Sequence, residues 1–157
     1  MLRVRLSDPR LSYMSAPWEL HETSTHQDHV IAHVVGATVL GHFEFDDAAH
    51  LLLDIGFIWT IFADGEMGLV PQTMAISELG LDATAKEELL ADLAALHRDG
   101  SEALGLVRIT QAPAGCLVTT VDFYASGANR QLVIRGEDAS LAIVGSVVTG
   151  EVSISRA

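Results

Sequence analysis

Six of the seven histidines of this chain fall between His21 and Asp54, interleaved with Glu22, Asp28, Glu44, Asp46, Asp47 and Asp54; only His97 stands outside. Imidazole nitrogens and carboxylate oxygens are the ligands that Zn²⁺, Mn²⁺ and Fe²⁺ take. Metal chemistry, if the chain performs any, belongs in this segment. Residues two apart on a strand point the same way, about 6.5–7 Å apart at ~3.3 Å per residue, which lets His42 and Glu44 share an ion. Residues four apart on a helix share a face, which pairs His50 with Asp54. Together His42, Glu44, His50 and Asp54 supply two nitrogens and two oxygens, a set suited to polarising a carbonyl or activating water. A different set follows if 25–40 is helical: His29 and His33 then become the pair, and His26 can join them. On a strand those two would lie ~13 Å apart. None of these spacings is an H-E-x-x-H or Cys/His zinc pattern. Histidine enrichment also suits a pH-sensitive interface, and a single histidine is more often an ordinary surface or hydrogen-bonded residue.

Other chemistry finds little support. Cys116 follows a Pro113-Ala114-Gly115 turn at the start of an apolar run and reads as core. No G-x-S-x-G elbow surrounds a serine, and neither phosphate-binding glycine pattern occurs. Asp64 and Glu66 would make a pair of acids, but Asp64-Gly65 is better explained as turn chemistry. His97 stands where it meets a helix dipole. The single lysine, Lys86, falls in the exposed first turn of an expected helix and argues against Schiff-base chemistry.

The elements that must position these groups are read from periodicity. Val30, Ile31, Val34, Val35, Thr38 and Val39 are β-branched, which favours a strand over 29–45, bent at Gly36 or Gly41. A helix competes for the same residues, because Ser24 with Gln27 resembles a capping box and the valines also recur at helical spacing. Asp46 or Asp47 would cap a short helix over 47–55. Asp64-Gly65 between FIWTIFA and EMGLV signals a two-residue hairpin, with Pro71 ending its second arm. A capping box from Thr84 to Glu87, a stripe of Leu89, Leu90, Leu93 and Leu96, and Gly100 as C-cap define an amphipathic helix over 84–99. Strands are expected at 104–111, 116–124, 131–135, 141–148 and 151–155. The alternation of Leu2, Val4 and Leu6 suggests an edge strand, followed by a long ordered polar arm at 7–28 whose Trp18 docks on the domain or a neighbour. The class is α+β, mainly antiparallel sheet, in one domain spanning 1–157.

Apolar residues make up 49% of the 157, charged residues 19%, and mean hydropathy is +0.32. A typical charged share is roughly 25%, and no apolar run reaches the ~18 residues of a membrane span. A homo-oligomer that hides the surplus apolar surface is therefore expected. A formal charge of −12, with eight scattered arginines, excludes nucleic acid and anionic membrane as partners. One cysteine and no apolar leader fit the cytoplasm. The expectation is a non-catalytic, oligomeric binding or interaction module. Its alternatives are a metal-dependent hydrolase or lyase acting on a small non-phosphorylated substrate, and a protein holding a small-molecule ligand between sheet and helix.

Overall fold

The structure, a computed structural model, describes residues 17–157; the strand expected at 2–6 and the 7–16 part of the arm lie outside the described residues. In chain order the elements are β1 Glu19–His21, α1 Thr25–Ala32, β2 Val39–Phe45, β3 Ala48–Leu53, β4 Ile58–Asp64 and β5 Gly68–Met74. They continue with α2 Ala83–Asp99, β6 Thr110–Gln111, β7 Val118–Ser126, β8 Asn129–Gly136, β9 Leu141–Ser146 and β10 Val152–Arg156. The class is α+β. Two antiparallel five-stranded sheets form, in the orders β5-β4-β3-β2-β6 and β1-β7-β8-β9-β10. Each is a four-strand meander with one short strand added at an edge. No described helix is long and apolar enough to cross a membrane.

Two apolar clusters make three layers. Leu51, Leu53, Trp59, Ile61 and Leu69 of the first sheet pack with Phe123, Leu132, Ile134, Leu141 and Ile143 of the second. On the other face of the first sheet, Phe43, Leu52 and Ile58 pack with Leu89 and Leu96 of α2. The first sheet is thus covered on both sides, and all six residues of β3 are buried. Burying a large apolar side chain stabilises by about 1.5–3 kcal/mol, so this doubly covered sheet carries much of the driving force.

Several sequence expectations need correction, each for a local reason. Residues 29–45 are not one strand: α1 ends at Ala32 and β2 begins at Val39. The capping box decides this. Ser24 Oγ accepts from Gln27 N at 3.1 Å, and Gln27 Oε1 accepts from Ser24 N at 2.9 Å. The helix buries Val30, and the turn after it buries Val34, against the sandwich core. Within the polar arm β1 pairs with β7, and the first turn of α1 lies at its end. Trp18 remains 38% exposed.

The short helix at 47–55 is instead β3. Phe45 pairs with Ala48, and Asp46 and Asp47 between them adopt φ of 54° and 56°. Two consecutive positive φ values define the type I′ hairpin turn, a conformation that aspartate tolerates. With both faces buried, β3 loses the alternation that marks a half-wet strand. The next hairpin has a longer loop than Asp64-Gly65 suggests: Asp64 pairs with Gly68, whose φ is 81°. Asp64 Oδ1 accepts from the backbone of Glu66 and Met67 at 2.8 and 2.9 Å, and these bonds hold its carboxyl below its ordinary pKa. Pro71 does not end β5. It sits within that strand at the sheet edge, where a missing N–H leaves no ladder bond unmade.

Helix α2 starts at Ala83 with Asp82 as its cap, Oδ1 accepting from Ala85 N at 2.8 Å, so Thr84 is not the capping residue. Gly100 ends it with φ of 57°. The strand expected at 104–111 shrinks to Thr110–Gln111, because the backbone N–H groups of Val107, Arg108 and Ile109 go to the Asp92 carboxylate on α2. The four later strands fall close to their expected places.

Candidate functional site

The hairpin register separates the four residues expected to hold a metal. Opposite His42 stands Leu51, which faces the sandwich core, whereas His50 stands opposite Phe43, which faces α2. His42 and Glu44 therefore share one face, as expected of a strand, and His50 occupies the other. Burial lowers the pKa of His42, opposed in part by Glu44. Glu44 Oε2 accepts from Ile154 N at 2.9 Å, tying β2 to β10. Asp54 Oδ1 accepts from Thr38 N at 2.9 Å.

His50 is committed elsewhere. Its Nδ1 lies 2.9 Å from Thr60 Oγ1, its Nε2 3.2 Å from the Phe45 carbonyl oxygen, and its ring stacks on Phe43 at 4.7 Å. A carbonyl only accepts, so Nε2 carries the proton and Nδ1 accepts from the Thr60 hydroxyl. Both nitrogens are used and neither lone pair is free for an ion. Burial pushes the His50 pKa down, with the Phe45 carbonyl and Asp46 opposing. Among the described residues no group of three or more His, Cys, Asp or Glu side chains converges on a point. Cys116 is wholly buried, and burial raises its thiol pKa, as suits a core residue.

What the fold does build is a cleft between the end of β2 and the start of α2. Phe43, Phe45, Leu81, Ala85, Leu89 and Val107 give its apolar surface, and Asp82 and Arg108 its charged groups, around a volume of about 540 Å³. Volumes of roughly 300–1,000 Å³ with apolar walls and a few polar groups are typical of ligand sites. Its second wall, the segment Val107–Ile109, has no strand partner and is held by one carboxylate. Asp92, 3% exposed on α2, accepts from the backbone of Val107 at 3.0 Å, Arg108 at 2.6 Å and Ile109 at 2.8 Å. Arg108 in turn reaches Glu88 Oε1 at 2.7 Å across the mouth. Gly41 lets this segment approach β2: a Cβ there would collide with Ile109 and press on Leu96.

These cleft residues did not emerge from the sequence pattern, which followed histidines. One signal was present. Asp92 lies three residues after Leu89 and four before Leu96, inside the apolar stripe of α2, where a carboxylate must find donors or pay desolvation. Compared with family models, curated proteins and solved structures, the chain matches none.

Proposed function

We propose that the protein is a non-catalytic binding module that takes a small, mainly apolar ligand in the cleft between β2 and α2. The observation that carries this reading is the cleft itself: apolar residues from three separate segments converge on one space, while the candidate metal ligands diverge across the sheet. Its charges favour a neutral or cationic ligand. Asp82 and Glu88 outnumber Arg108, which is already paired with Glu88, so an anion would meet net repulsion, while the Glu44 carboxylate is turned to β10 on the other face. Self-association belongs to the same reading, supported by exposed apolar side chains such as Leu20, Leu104 and Val148.

Binding of a neutral apolar fluorophore such as Nile red tests the proposal. The parent is expected to bind it saturably, and Val107→Asp to bind at least about fivefold more weakly, because a carboxylate at the mouth costs about 1 kcal/mol or more when desolvated. Equal binding by parent and variant, with both folded, would overturn the assignment.

A further inference from the structure

We infer that α1 carries a surface chelate for a borderline transition-metal ion, formed by His29 and His33. The two rings project from successive turns of one helix with their centroids 4.9 Å apart and their planes tilted by 58°. An ion about 2.0–2.1 Å from one nitrogen of each ring, at a near-tetrahedral angle, places the ring centres about 5 Å apart. The observed spacing meets that requirement without movement of the backbone. The same i, i+4 separation of two histidines on a helix is what presents paired imidazoles to zinc in metal-binding helices generally.

The helix holds this pair in place. A reciprocal capping box fixes its start, Gln27 Nε2 donates to the Leu69 carbonyl at 3.4 Å, and Val30 on its inner face and Val34 in the turn just after it are anchored in the sandwich core. His33 is the C-cap residue but keeps helical backbone angles, φ −73° and ψ −20°, with its N–H on the Val30 carbonyl at 3.2 Å, so one tightened turn links it to His29. Both side chains are exposed, and neither ring hydrogen-bonds to another described residue, so a lone pair on each is available. His26, three residues before His29, stands exposed on the same side of α1. Water fills the remaining coordination positions. The net charge of −12 raises the local concentration of cations. Among divalent ions, affinity for such nitrogen sites rises through Ni²⁺ to Cu²⁺ and falls again at Zn²⁺.

The test is calorimetric titration of the full chain, free of any histidine tag, with Cu²⁺, Ni²⁺ and Zn²⁺, alongside His29→Gln, His33→Gln and His42→Gln. One ion per chain is expected in the parent and in His42→Gln. Each of the α1 variants should lose affinity by about tenfold or more, the effect of removing one of two nitrogen ligands. Metal-free melting temperatures of the two α1 variants should match the parent, since both rings are exposed. Undiminished affinity in the α1 variants, or loss of affinity in His42→Gln, would overturn the inference. So would the absence of any binding by the parent.

Discussion

Across the central strands of the first sheet, His50 accepts a hydrogen bond from the Thr60 hydroxyl, Nδ1 to Oγ1, at 2.9 Å. Burial disfavours the charged ring and the Phe45 carbonyl can only accept, so the imidazole is neutral with its one proton on Nε2. The unfolded chain titrates near 6.5, and the folded-state pKa lies below that value. The folded form therefore binds fewer protons just beneath pH 6.5, and stability is lost as pH falls through that window. His42 is shifted the same way and adds to the effect. Urea midpoints followed by fluorescence, with Trp59 buried between the sheets as reporter, should be level from pH 8 to 7 and decline from about 6.5 towards 5. Thr60→Val, which leaves Nδ1 without its donor, should cost about 1–2 kcal/mol at pH 7.5. A midpoint that rises on acidification through this range would contradict the assignment.

Asp92 should dominate the stability of the cleft wall. Asp92→Ala strands three backbone N–H groups and is expected to cost about 3 kcal/mol, or roughly 6–12 °C in melting temperature for a domain of this size. Asp92→Asn keeps one acceptor oxygen and should lose about half as much. Hydrogen exchange at Val107–Ile109 checks the cause: these amides should exchange faster in the alanine variant while those of β8 do not. Equal acceleration in both places would show that Asp92 supports the whole fold and not this wall.

Glu44 and Asp54 act as backbone acceptors, and their substitution should behave accordingly. Asp54→Ala removes the partner of Thr38 N and should cost about 0.5–1.5 kcal/mol, by an amount unchanged when Zn²⁺ or Mn²⁺ is added. A metal-dependent difference in melting temperature, present in the parent and absent in Asp54→Ala, would restore Asp54 as a ligand.

Self-association is checked by sedimentation equilibrium. Leu20 is 71% exposed on the edge strand β1, and Leu104 and Val148 are 88% and 78% exposed. A mass above the 16.8 kDa of one chain is expected. Leu20→Ser combined with Leu104→Ser should shift the equilibrium towards monomer, whereas monomeric parent protein at every concentration would contradict self-association.

The parts of this fold that could be read from sequence are those whose signals are local. The stripe of α2, the Gly100 cap and the later strands follow from period and punctuation. The obscured parts are those whose environment is set by distant chain. β3 resembles a helix segment because two layers from elsewhere in the chain cover it, which erases its alternation. Val39 belongs to a strand and Val30 to a helix, although both are β-branched, because the capping box at Ser24 overrides weak propensity. The histidines suffered most from this. His42 with Glu44 and His29 with His33 depend only on local spacing, and the members of each pair lie on one side of their element. Joining His50 to His42 needed the hairpin register, which places them on opposite faces and which Asp46-Asp47 sets by a turn type sequence reading took for a helix cap. The cleft needed the long-range docking of 107–109 onto Asp92, for which only a misplaced carboxylate gave notice.

The cleft's role as the binding site is tested most directly by amide chemical-shift mapping of the full chain during titration with a small aromatic amine such as 2-phenylethylamine. Saturable shifts are expected at Phe43–Phe45, Gly80–Ala85 and Val107–Arg108, and they should vanish in Val107→Asp. Shifts confined to the outer face of the second sheet around Tyr124 and Arg135, or no saturable shifts at all, would contradict the account.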